Sequence, residues 1–337
     1  MEERIKNIFI YLVLLSTNLL FSQEAGCTDS YASNYSSNAD FDDGSCSYTS
    51  YGDYFMEFDG SGDVINIPDS DDLDLSDKGT IMFWMKPNTI NQPGNAGLVV
   101  KSDNESSGGN VYGISYYVVW RQSQGRLQGY ISDGSSSNYV SYENLEHLAD
   151  GDWHHISFTW DGSELRLYVD SQLKSSTPQT IAGAFNSSYN LKIGGDSYGY
   201  DGGTSDHFNG WIDDVWVLAY HIYGDDYPDN GNWANVPAYV MQNKHIPTNW
   251  GIYTGGYVRG HWSFNDNDSS SVALDYTGNQ NHGTINGSIY SDNIFCDQHS
   301  DCASNQFCYS QGYCVDFYSE FCADNLCGIG DGDCDGN

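Results

Sequence analysis

The 337-residue chain has a formal charge of −34, with twelve Lys plus Arg set against 46 Asp plus Glu. Phosphate-rich surfaces demand clustered cations, so nucleic acid and anionic membranes are poor partners, and cations, above all Ca²⁺, and neutral polar surfaces such as glycans are better ones. Most of the acidity is spread over short Asp/Gly/Ser/Asn clusters, whose simplest role is solubility.

Residues 1–22 have the pattern of a secretory signal. Arg4 and Lys6 precede an apolar run from Ile8 to Phe21, and Ser22 supplies a small residue at the cleavage point. Ser16, Thr17 and Asn18 interrupt that run, which is too short for a comfortable membrane span. No Cys follows to carry a lipid, and no later stretch is apolar enough to span. The expectation is an exported protein, secreted or at the cell surface, with no membrane span in the mature chain. The cysteines agree with export. Cys27 and Cys46 form one cluster; Cys296, Cys302, Cys308, Cys314, Cys322, Cys327 and Cys334 form another. Such clustering predicts a disulfide framework. No C-x2-C is present, so a cysteine zinc site is a weak reading. Nine is an odd number, and the chain stops three residues after Cys334. Either a fragment or a thiol paired with another chain would explain both.

Residues 26–48 run Gly26-Cys27-Thr28-Asp29 through Asn34-Tyr35 to Asp42-Asp43-Gly44-Ser45-Cys46. They resemble short units found, often in tandem, in secreted bacterial proteins. A Cys27–Cys46 bridge there would contribute roughly 3 kcal/mol in the chain-entropy model, the staple a segment too small for a core needs. Asp40, Asp42 and Asp43 are either turn formers or calcium ligands, the turn role being the simpler one.

Residues 54–292 almost lack helical periodicity. The most telling stretch is 151–170. Ile156, Phe158 and Trp160 alternate with polar residues, Asp161-Gly162-Ser163 breaks the pattern, and Leu165, Leu167 and Val169 resume it. This is a hairpin signal. The run resembles the central hairpin of the laminin-G-like, concanavalin A-like jelly-roll family, with Ser171 where that family has Gly. Further stretches resemble the same family in order: Phe58-Asp59-Gly60 to Pro68, Thr80 to Pro87, Gly97 to Lys101, Leu191 to Gly195, and Phe208 to Val217. Gly260 to Phe264 and Asp275 to Gly287 resemble a motif that flanks such domains and adds strands to them; the first strands of a second copy are the alternative. The implied fold is all-β, a two-sheet antiparallel jelly-roll sandwich, with small disulfide-rich modules on either side. Residues 294–337 form the acidic, cysteine-rich appendage. Asp331 to Asn337 there has the spacing of a calcium loop but lacks a closing ligand.

Catalysis is not expected. Glucanases of this fold carry E-x-D-x-E on one strand, and neither that nor H-E-x-x-H occurs. Trp153, His154 and His155 read as packing residues, since adjacent strand residues diverge. The resemblance implies a structural Ca²⁺, with Asp59 and Asp213 first, Gly60 as a carbonyl donor, and Asp63 and Asp214 behind them. Asp213 and Asp214 should point to opposite faces. Sugars stack on aromatic faces, and among 27 Tyr the candidates are Tyr117, Trp120, Tyr130, Tyr198 and Tyr200. The function expected is non-catalytic recognition of an extracellular glycan or glycoprotein. The alternatives are adhesion or structural display in a larger surface protein, and a glycoside hydrolase with an unrecognised carboxylate pair.

Overall fold

The structure is a computed structural model that describes residues 23–50, 54–102, 113–195, 206–221, 256–266 and 271–292, with the backbone alone of 306–308 and 314–316. The expected signal segment 1–22, Tyr198, Tyr200 and the side chains of the seven C-terminal cysteines lie outside the described residues. The chain divides into two compact units, 1–49 and 50–337.

In the first unit, strands β1 (Ala25–Gly26) and β2 (Phe41–Asp42) pair in parallel. Cys27 is bridged to Cys46. Asp40 Oδ2 accepts from Glu24 N at 3.0 Å across sixteen residues, and two acids cap turns: Asp42 Oδ1 accepts from Gly44 N at 2.7 Å and Asp43 Oδ1 from Ser45 N at 3.0 Å. Asx turns of this kind hold a chain too short to build a core.

The second unit is a sandwich of two eight-stranded sheets. Its strands are β3 (Tyr54–Asp59), β4 (Val64–Ile67), β5 (Gly79–Pro87), β6 (Asn95–Ser102), β7 (Ile114–Arg121), β8 (Arg126–Ser132) and β9 (Ser137–Tyr142), then after a short helix α1 (Leu145–Leu148), β10 (His154–Trp160), β11 (Glu164–Val169), β12 (Gln172–Pro178), β13 (Leu191–Ile193), β14 (Asn209–Leu218), β15 (Val258–Trp262), β16 (Val272–Ala273), β17 (Gly283–Asn286) and β18 (Ile289–Asp292). The first sheet runs β12-β11-β10-β5-β14-β3-β18, with β15 also on β14; the second runs β16-β17-β4-β13-β6-β7-β8-β9. β15 to β18 therefore belong to these sheets rather than to a second copy. A last antiparallel pair, β19 (Gln306–Cys308) and β20 (Cys314–Asp316), places Cys308 opposite Cys314 in register.

Alternation decides the layers. Ile81, Phe83 and Met85 of β5 and Ile156, Phe158 and Trp160 of β10 enter the core, where they meet Tyr116, Val118 and Trp120 of β7 and Leu127 and Ile131 of β8. The sheets approach closely: a Cβ on Gly129 of β8 would collide with the Phe158 ring, and one on Gly194 with Phe58. The β10–β11 turn is held by Asp161, whose Oδ1 accepts from Ser163 N at 2.8 Å and Glu164 N at 2.9 Å. The next turn takes Asp170 and Ser171 through φ of 51° and 60°. Ser171 thus adopts the left-handed conformation even without the glycine that favours it.

Candidate functional site

Period-two geometry sends the alternate residues of the first sheet away from the core. Reading across strands, one row is Lys86, Trp211 and Glu57. The next is His155, Trp84 and Asp213. A third is Ser157, Met82, Trp216 and His261. Trp84 and Trp211 are half-buried, as is Trp153 just ahead of β10. The rings form a network. Trp84 meets His155 edge-on at 5.4 Å, and Phe55 meets Trp153 at 5.3 Å and Trp211 at 6.3 Å, both edge-on. Lys86 Nζ lies 5.6 Å over the Trp211 ring. Phe55 and the start of β10 are three strands apart, about 14 Å on a flat sheet.

Beside these rings lie buried polar atoms without hydrogen-bond partners: Trp84 Nε1, both ring nitrogens of His155, Ser157 Oγ and Asp214 Oδ2. Leaving such groups unpaired costs about 1–3 kcal/mol each, so their concentration on one face calls for a functional explanation. Burial pushes the His155 imidazole down to about 4, against the pull of Asp214 and Asp170, so it is neutral and offers one donor and one acceptor.

The rest of the face is set by a bulge in β14. Asp213 opposes Trp84 and Trp216 opposes Met82, leaving one residue too many between them, and Asp214 takes φ of 51°. The bulge overturns the expected divergence of Asp213 and Asp214. Asp213 lies in the row of Trp84, and Asp214 Oδ1 accepts from His261 Nε2 at 2.7 Å on the same outer face. The His261 ring stacks on Trp216 at 3.5 Å.

The implied calcium set is divided by register. Asp59 pairs with Asn209, and Asp213 lies four residues further along β14, roughly 13 Å away. At the first location Asp63 Oδ2 accepts from Asp59 N at 2.8 Å, and Asp59 Oδ1 from Ser61 N at 2.6 Å. Their carbonyls are also engaged, Asp59 O by Asn209 Nδ2 and Asp63 O by His207 Nδ1, both at 3.0 Å. Burial, with the Asp59 charge added, raises the Asp63 carboxyl. Ca²⁺ needs six to eight oxygens around one point. Asp59, Gly60, Asp63, Asp213 and Asp214 do not supply them as one sphere.

A sequence profile described as the concanavalin A-like lectin/glucanases superfamily, of the laminin G type, matches residues 59–223. This segment belongs to that superfamily. No curated protein matches the chain. Solved structures similar to this chain include a proposed carbohydrate-binding protein from Bacteroides ovatus ATCC 8483 (15% identity, TM-score 0.48, 73% of this chain and 61% of that one). Others are mouse laminin alpha1 domains LG4-5 (14%, 0.37, 52% and 45%) and a heptameric pentraxin from Limulus polyphemus (15%, 0.36, 52% and 80%). The chain thus spans less than two thirds of the first two.

The aromatic candidates of the laminin-G-like domain fare unevenly. Trp120 is a correction: it is fully buried between the sheets, and its Nε1 donates to Gln122 Oε1 at 3.1 Å. Tyr117 and Tyr130 lie on the outer face of the second sheet, stacked at 4.6 Å, but both are buried. Burial pushes the Tyr117 phenol up to about 12, although Arg121 donates to it at 2.5 Å. The sequence reading passed over Trp84 and Trp211. The signal was there: Ile81, Phe83 and Met85 fix the core parity of β5, and Trp84 falls on the other face.

Proposed function

We propose that the laminin-G-like domain is a non-catalytic glycan-binding module of an exported protein, and that the outer face of its first sheet is the binding surface. The observation that carries this reading is the presence of three half-buried indoles, Trp84, Trp153 and Trp211, on that one outer face. Sugars present apolar C–H faces that stack on indole and hydroxyls that pair with polar side chains, such as the half-buried Lys86 and Glu57 in the Trp211 row. The proposal fits the strong acidity of the chain, because a neutral saccharide meets no repulsion, and it agrees with a superfamily that contains lectins.

A glycan array probed with the full chain, with and without Ca²⁺, tests the reading. Binding to a defined glycan class should weaken at least tenfold in Trp84→Ala and Trp211→Ala, about 1.4 kcal/mol or more. Both rings are half-buried, so the fold should survive. An empty array would favour the display role. Release of reducing sugar that vanishes in Asp213→Asn would replace the proposal with a hydrolase. The calcium arm shows whether an ion at Asp59 and Asp63 takes part.

A further inference from the structure

A second cluster lies where α1, β10 and the β11–β12 turn converge. His154 opens β10, and its two nitrogens both face carboxylates: Nδ1 lies 2.9 Å from Asp170 Oδ2, and Nε2 lies 3.1 Å from Asp150 Oδ1. The His147 ring sits 4.8 Å from the His154 ring. One nitrogen of each histidine and one Asp170 oxygen lie within 4.8 Å of one another. A neutral imidazole donates from one nitrogen only, so two carboxylates around one ring exceed what it can satisfy. A cation at one nitrogen resolves the excess. If that cation were only the proton of an imidazolium, both carboxylates would be satisfied without a third ligand, yet a nitrogen of His147 stands within 4.8 Å of the other two donor atoms. A metal ion uses it.

We propose that His147, His154 and Asp170 form a binding site for a zinc-class divalent transition metal. The chemistry is that of a two-His, one-carboxylate set, which suits Zn²⁺ and leaves a fourth position for water or a ligand. Bonds of about 2.0–2.1 Å in tetrahedral geometry place ligand atoms about 3.3 Å apart, so the 2.9 Å His154–Asp170 contact needs only a small opening. The ligands are held beforehand. Asp170 stands at φ of 51°, and its other oxygen accepts from His155 N at 3.0 Å, which aims Oδ2 at His154. Leu145 and Leu148 anchor α1 in the core, and the Asn144 side chain caps it by accepting from His147 N at 3.2 Å. Asp150 then plays the orienting carboxylate behind a metal-bound histidine. Cys27, Asp42 and Cys46 also lie close together, but their sulfurs are joined in the disulfide and are not thiolate ligands. The site does not depend on the glycan-binding reading, since it uses none of that face's residues.

The test is titration of Co²⁺, then Zn²⁺, into the chelator-treated full chain, read by visible absorption and calorimetry. One equivalent of Co²⁺ should bind with the d–d bands of a tetrahedral nitrogen–oxygen site and be displaced by Zn²⁺. His147→Ala, on the short helix rather than in a strand, should lower affinity at least tenfold while circular dichroism stays unchanged. Asp150→Asn should weaken binding about 10–100-fold with the same bands. No saturable binding, equal affinity in His147→Ala, or sulfur-to-cobalt charge transfer from the C-terminal cysteines would each overturn the proposal.

Discussion

Asp266 and Asp275 show how far hydrogen bonds compensate for burial. Asp275 is fully buried and gathers the 275–283 loop, accepting from His261 N and Thr277 N at 3.0 Å, Thr277 Oγ1 at 2.8 Å and Asn281 N at 3.1 Å. Even so, desolvation wins and its carboxyl is raised. Asp266 has fewer donors: its Oδ2 accepts from Leu274 N at 2.8 Å and Tyr290 Oη at 3.1 Å, and the Tyr276 hydroxyl also bonds its carboxylate. Burial again raises it above the model-peptide value of 3.8 despite those bonds. The folded protein therefore holds this proton more tightly than the unfolded chain does. Between 3.8 and the raised value, stability contributed by this group falls as pH rises, and above that window the cost of the buried charge is present in full. Asp266→Asn keeps a carbonyl oxygen for the Leu274 and Tyr290 donors and removes the charge. It should raise stability at neutral pH, and the gain should shrink as pH falls through the folded pKa. Urea unfolding of both proteins across that range is the check, and a difference independent of pH would show that the charge is not the cause.

The strands were legible in the sequence wherever apolar and polar residues alternated. Ile156, Phe158 and Trp160, then Leu165, Leu167 and Val169, are buried as the hairpin pattern requires. β7 was not legible in that way, because Tyr116 to Trp120 is apolar at every position. Nothing in such a run says which parity is the core. Tyr117 and Trp120, grouped as sugar candidates, lie three positions apart and so on opposite faces; Tyr116, Val118 and Trp120 went to the core. The β14 bulge was hidden for a different reason. An extra residue leaves no mark in Asp213-Asp214, yet it brings both carboxylates to one face and joins Asp214 to a histidine 47 residues later. The glycines that let the sheets approach are also silent until the partner ring is known. Gly129→Ala places a methyl group against Phe158, which is fully buried and cannot swing away. The substitution should cost about 1–3 kcal/mol by overpacking. Chemical denaturation should show that loss. A companion Phe158→Leu should recover part of it, and no recovery would mean that the strain lies in the backbone of β8 instead.

The two units obtain their stability from different sources. Residues 50–337 contain a continuous core in which Trp160, Phe158, Tyr116 and Trp120 are wholly buried between sheets. Residues 1–49 have almost nothing comparable: Cys27 and Ala32 are the buried apolar side chains among those described, while Tyr31, Tyr35 and Phe41 are exposed. What remains is a set of carboxylate-capped turns and a bridge across 19 residues. Closing a loop of that length restricts the unfolded chain by roughly 3 kcal/mol, comparable to the whole stability expected of so small a segment. A Cys27→Ser, Cys46→Ser double variant should therefore unfold the small unit and leave the sandwich intact. Amide dispersion from 26–48 should collapse and the segment should become protease-sensitive, while the main melting transition stays within about 1 °C, because a loss outside a cooperative unit does not enter its transition. A clear drop in that transition would mean that the two units fold as one, and that the small unit contributes to the stability of the sandwich.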